Sequence, residues 1–105
     1  MEKINITFNN LQLSATVFAP ASKKEKIPAV LFIHGWQSRQ DRFYKLAKIL
    51  QEKGFYCLTF DLPGHGESEG DRNNFSIENY LNNAVAVFDF LLKQESVDDK
   101  NICVV

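Results

Sequence analysis

Two stretches decide the fold: Ala29-Val30-Leu31-Phe32-Ile33-His34-Gly35-Trp36, and Phe55-Tyr56-Cys57-Leu58-Thr59-Phe60 followed by Asp61-Leu62-Pro63-Gly64-His65-Gly66-Glu67-Ser68. Each opens as a continuous apolar run and breaks off at a Gly-bearing polar segment. A strand that is apolar at every position, rather than at every second one, is covered by helices on both faces. Two such strands separated by a helical pattern describe a parallel sheet of the α/β class.

The pattern between them is helical. Phe43, Leu46, Ala47 and Leu50 fall at i, i+3, i+4 and i+7, which predicts a helix from about Gln40 to Lys53. Ser38 or Asp41 can cap its start and Gly54 can end it. After the second stretch, the Gly-, Pro- and charge-rich segment Leu62–Asn74 reads as a loop. A longer stripe follows: Ile77, Tyr80, Leu81, Ala84, Val85, Phe88, Leu91 and Leu92 share one helix face. Ser76 is its N-cap, and Phe75 can pack on Tyr80 as a hydrophobic staple. Val97–Asn101 reads as a polar connection, and Ile102–Val105 as a further buried strand.

Before the first stretch, Ile4, Ile6 and Phe8 alternate with polar residues, and so do Leu11, Leu13, Ala15 and Val17. Period-2 alternation marks strands. Asn9-Asn10 between them suits a tight turn with left-handed backbone. The expected organisation is a hairpin over residues 3–19, a charged connection from Ala21 to Lys26, then βαβαβ over residues 28–105. Right-handed crossovers order the sheet as hairpin, Phe55 strand, Ala29 strand, Ile102 strand. Ligands of such sheets bind beyond the carboxyl ends of the strands. His34-Gly35-Trp36 and Asp61–Ser68 both lie there.

Composition excludes several function classes. The chain has 105 residues, 45% hydrophobic and 24% charged, and a net charge of −1. It is one domain at most, and it offers no basic field for nucleic acid or an anionic membrane. No apolar run approaches the roughly 20 residues of a membrane span, and Met1–Asn10 lacks the core of a signal peptide. Cys57 and Cys103 lie in apolar runs and are too few for a disulfide framework. In the expected strand order they are two ladder spacings apart, beyond disulfide reach. Reduced thiols and a cytoplasmic location are expected.

The two motifs together resemble the N-terminal part of the α/β-hydrolase family. The first is a buried strand ending in His34-Gly35-Trp36. The second is Asp61-Leu-Pro-Gly-His-Gly-Glu-Ser after the next strand, the D-x-x-G-x-G-x-S pattern. The nearest subgroup is the monoglyceride-lipase, esterase or serine-aminopeptidase type. Epoxide hydrolases more often show His-Gly-x-Pro, and Gln37 stands at that fourth position. The resemblance implies a partial α/β-hydrolase sheet, cofactor-free acyl transfer and a small acyl substrate for the complete protein. It also implies that the Trp36 backbone N–H is one oxyanion-hole donor, with Gly35 allowing close approach and the Trp36 ring walling the acyl pocket. His34, Asp61, Gly64, His65, Gly66 and Ser68 are implied as loop scaffold, the glycines at positive φ and Asp61 and Ser68 bonding loop amides.

The family's Ser nucleophile sits on a G-x-S-x-G turn after the strand that here begins at Ile102, and its acid and His come later. Gly66-Glu67-Ser68-Glu69-Gly70 matches those letters. No strand enters it directly, no apolar helix follows, and two carboxylates flank the serine, so nucleophile, acid and base are expected outside these residues. His34, His65 and Asp61 would suffice in number for a weak zinc site, but loop structure already accounts for them and no metal is expected. A non-enzymatic module, either vestigial or binding a partner or itself through the edge of the last strand, is the alternative.

Overall fold

The computed structural model describes residues 1–21 and 26–105. Four residues of the expected charged connection, 22–25, lie outside the described residues. Strands β1 (Glu2–Phe8) and β2 (Leu11–Phe18) form an antiparallel hairpin with Phe8 opposite Leu11. Asn9 and Asn10 turn the chain at φ 48° and 63°, the left-handed pair that matches strand twist. β3 (Ile27–Ile33) and β4 (Tyr56–Phe60) run parallel, with Leu31 beside Leu58. β5 (Val97–Val104) runs parallel to β3, and the sheet order is β1-β2-β4-β3-β5.

Two corrections to the strand boundaries share a cause. β3 begins at Ile27 rather than Ala29, and Val97–Asn101 is strand rather than connection. Ile27 pairs with Val97, but Ala29 already pairs with Ile102. Pro28 has no N–H for the ladder, so β5 bulges opposite it. Asp98 closes the bulge by accepting from the Lys100 backbone N–H and the Asn101 amide.

The first helix also starts differently. Gln40–Phe43 is a 3-10 turn, and helix α1 spans Tyr44–Glu52. Neither Ser38 nor Asp41 caps it; the Gln40 N–H is instead taken by the Asp61 carboxylate at 2.8 Å. Gly54, at φ 99°, ends the helix. Ala47 is buried and Phe43 and Leu50 half-buried, but Leu46 faces outward.

Helix α2 (Ile77–Leu92) has Ser76 as N-cap, its hydroxyl accepting from the Asn79 N–H at 3.1 Å. Phe75 packs edge-on to Tyr80 with ring centroids 5.8 Å apart. The face that meets the sheet is Asn83, Val87 and Leu91, roughly a quarter turn around from the centre of the expected stripe. Ile77, Leu81 and Val85 are 72%, 56% and 59% exposed.

α1 and α2 lie on opposite faces of the sheet. Phe18, Val30, Phe32, Ala47 and Cys57 form one core with α1; Leu13, Ala15, Leu31, Leu58, Phe60, Val87 and Leu91 belong to the other, with α2. The expectation of a buried last strand is corrected: Val104 and Val105 are 52% and 53% exposed, because β5 is an edge. Cys103 is exposed on it as well, and both cysteines are free. No helix among the described residues is long and apolar enough to cross a membrane.

Candidate active site

β3 and β4 deliver two loops to one edge of the sheet. The first makes a four-residue turn, with the Ser38 N–H donating to the Gly35 carbonyl at 3.1 Å. Gln37 sits at φ 66°, the third position of a type II turn. Its N–H donates to His65 Nε2 at 2.9 Å. Among the described residues, no acceptor pairs with the Trp36 N–H. The Trp36 side chain is 52% exposed, with its ring 6.2 Å from that of Phe75. Gly35 faces open space, since a Cβ built there would meet nothing within 4 Å.

Both histidines are buried and bridge backbone groups. His34 Nε2 accepts from the Leu62 N–H at 3.0 Å, while Nδ1 lies 2.7 Å from the Gly35 carbonyl. His65 Nε2 accepts from Gln37, and its Nδ1 lies 2.9 Å from the Pro63 carbonyl. A ring nitrogen that accepts an N–H carries no proton, so both rings are neutral and donate through Nδ1. Burial holds the His34 pKa below its ordinary value. The 3.9 Å approach of His34 Nε2 to Asp61 is therefore no ion pair. With both Nε2 lone pairs engaged, neither ring has one to offer a metal or a serine. Among the described residues no group of three metal-ligating side chains comes together.

Asp61 organises the second loop. It is buried, and its carboxylate accepts from the Gln40 N–H at 2.8 Å, the Gln40 side-chain amide at 3.0 Å and the Glu67 N–H at 3.1 Å. The Gln40 amide also reaches Ser14, and its Oε1 accepts from the Thr59 hydroxyl at 2.6 Å. Ser68 Oγ accepts from the Ser14 N–H at 2.8 Å and donates to the Asp61 carbonyl at 2.6 Å. Gly64 and Gly66 take φ 72° and 50°. A Cβ on Gly66 would strike the Asp61 carboxylate, and one on Gly64 the backbone at Arg72.

Gln40, Thr59 and Ser14 were not identified from sequence. The available signal was polarity in a buried setting: Ser14 and Thr59 interrupt strands, and Gln40 opens an amphipathic segment. Chemically, this edge offers one backbone donor at Trp36 beside an aromatic wall. Ser68 has its hydroxyl engaged as both donor and acceptor, and among the described residues no histidine with a free ring nitrogen stands beside it.

The parallel β3–β4–β5 core with flanking helices and an antiparallel hairpin is a partial α/β-hydrolase fold. It superposes on Est1E from Butyrivibrio proteoclasticus, solved with ferulic acid bound, at a TM-score of 0.87 and 27% identity, covering 97% of this chain and 41% of that one. The α/β hydrolase GrgF from Penicillium gives 0.85 at 24% identity, covering 98% and 36%, a likeness of fold alone. A Mycoplasma genitalium protein with an esterase/lipase name is 28% identical over 91 residues, 86% of this chain and 32% of its own length. The chain thus spans about a third of the length of that relative. Residues 24–104 match the family model described as serine aminopeptidase, S33. The chain belongs to that hydrolase family.

Proposed function

We propose that this chain is the N-terminal portion of a single α/β-hydrolase domain, in a serine hydrolase that cleaves a carboxylic ester, thioester or amide through an acyl-enzyme. Its contribution is the Trp36 N–H as one oxyanion-hole donor. The observation that carries this is the Gly35–Ser38 turn: the Gln37 and Ser38 N–H groups have partners, and among the described residues the Trp36 N–H has none. Donors held in place before charge develops at a carbonyl oxygen stabilise the tetrahedral intermediate by several kcal/mol. His34 and His65 hold the turn, and the Asp61 network holds the loop beneath it. The nucleophile, acid and base come from sequence beyond Val105, because Ser68 and both histidines are fully engaged. No cofactor enters this chemistry.

Trp36→Pro in the full-length polypeptide tests this directly. Proline removes the N–H and suits the second position of a type II turn, so the fold survives. We expect kcat on a short-chain ester to fall by about 10²–10³, as for loss of one oxyanion donor, whereas Trp36→Ala keeps most of it. Equal losses in the two variants would remove Trp36 from the role. Fluorophosphonate labelling should require sequence past Val105 and survive Ser68→Ala.

One observation favours a second reading. β5 leaves one edge unpaired, with Val104 and Val105 half exposed, and such an edge templates another strand. In that reading the 105-residue chain is a non-catalytic module that self-associates through β5. Size-exclusion chromatography separates the readings: a dimer abolished by Val104→Lys supports the second.

A further inference from the structure

Between the hairpin tip, the loop after β4 and the first turns of α2 lies a cavity of about 450 Å³, within the range of small-molecule sites. Its walls include Phe8, Leu11, Leu62, Phe75 and Tyr80, and its polar part is a set of asparagines that includes Asn79 and Asn83. No Lys, Arg or His lines it among the described residues; the one charged side chain is Asp71, which already accepts from the Asn73 N–H.

Asn83 is the telling residue. It is only 4% exposed, and its Nδ2 donates to the Asn79 carbonyl at 2.6 Å. That bond fixes the amide orientation, because the flipped amide would set two oxygens together. Its Oδ1 then has no partner among the described residues. A buried acceptor left unpaired costs free energy, and Asn83 is one of the residues lining this mostly apolar cavity.

We propose that this cavity binds a small neutral molecule with a flat apolar body and one N–H or O–H donor, the donor meeting Asn83 Oδ1. Apolar walls take the body, the orphaned carbonyl selects the donor, and Asp71 without a compensating cation disfavours anions. Trp36 is not among the walls, and the site does not depend on the acyl-transfer reading.

The test uses the full-length polypeptide with ¹³C-labelled leucine methyls, indole as probe and 1-benzofuran as its donor-free isostere. Leu11 and Leu62 report on the cavity, and Leu81 reports on the exposed face of α2. We expect indole to shift Leu11 and Leu62 saturably and leave Leu81 in place. Benzofuran should bind about three- to tenfold more weakly, the factor for one hydrogen bond, and indole-3-carboxylate more weakly still. Asn83→Leu should abolish the preference for indole while the Leu58 methyls keep their native shifts; the wild-type comparison stands if that variant fails to fold. Absence of saturable shifts at Leu11 and Leu62, shifts at Leu81 alone, or equal binding of indole and benzofuran would overturn the proposal.

Discussion

Replacing Asp61 with Ala removes the acceptor for three N–H groups, and the structure shows that the three losses differ. The Gln40 side-chain amide keeps Ser14 within 3.2 Å, so it loses little. The Glu67 N–H belongs to an exposed residue and can turn to water, at a cost of about 1 kcal/mol. The Gln40 N–H is buried with no second acceptor among the described residues, and its loss costs about 2 kcal/mol. Asp61→Ala should therefore cost about 3 kcal/mol, read in urea unfolding as a midpoint roughly 2 M lower for a domain of this size. Gly66→Ala tests the same geometry independently. In the native chain it adds a clash with the Asp61 carboxylate to the strain of φ 50°; with Asp61 already Ala, only the strain of about 1–2 kcal/mol remains. The two substitutions should thus be less than additive. Full additivity, or an Asp61→Ala midpoint no lower than that of the surface control Asp99→Ala, would refute the account of this loop.

Other outcomes follow from single features. Burial lowers the His34 pKa from its ordinary 6.5, so the unfolded state binds the proton first; stability should be full above about pH 6.5 and fall as pH drops below it, tracked by the urea midpoint. Burial pushes the Cys57 thiol from 9.0 up to about 12; stability should decline from pH 9 upward, by at most about 1.4 kcal/mol per pH unit, and Cys57→Ala should remove that part. Cys103 is exposed and Cys57 buried, so Ellman's reagent should titrate one thiol in the native chain and two in denaturant. Both cysteines pair with Val30 on opposite sides, so mass spectrometry should find no bridge between them. Ser76→Ala removes the α2 cap and should cost about 1 kcal/mol in thermal unfolding.

What was legible in the sequence was local or periodic. Asn9-Asn10 identified the hairpin turn because few residues adopt φ > 0 twice in succession. Unbroken apolar runs identified β3 and β4, and the loops at their ends marked the sheet edge that carries the candidate site. Asp61 and Ser68 were legible as residues that bond backbone amides, but their partners Gln40, Thr59 and Ser14 were not. Nothing in the residues around Gln40 announces that its N–H meets a carboxylate delivered by β4, where the sequence offers Ser38 or Asp41 as caps. The β5 bulge was hidden for a similar reason. Pro28 sets it, but Pro28 lies on a different strand.

Helix α2 shows where periodicity stops. The period says that Ile77, Tyr80, Leu81, Val85, Phe88 and Leu91 share an arc; it does not say which part of the arc meets the sheet. The structure uses one side of it, extended by Val87, and leaves Ile77, Leu81 and Val85 exposed. β5, which α2 packs against, likewise has one edge paired and one open. In a right-handed parallel succession, the next strand pairs beside β5 and its helix lies next to α2. Such a unit would pair the open edge and bring a second helix alongside α2. Burying those three already part-covered side chains would contribute about 1–2 kcal/mol each, which offsets part of the entropy of ordering the covering helix. The uncovered surface of α2 and the uncovered edge of β5 thus call for the same neighbour. That coincidence asks of whatever pairs with β5 that it bring a helix on the α2 face together with a strand, a condition against which both the longer hydrolase and an edge-to-edge dimer can be tested.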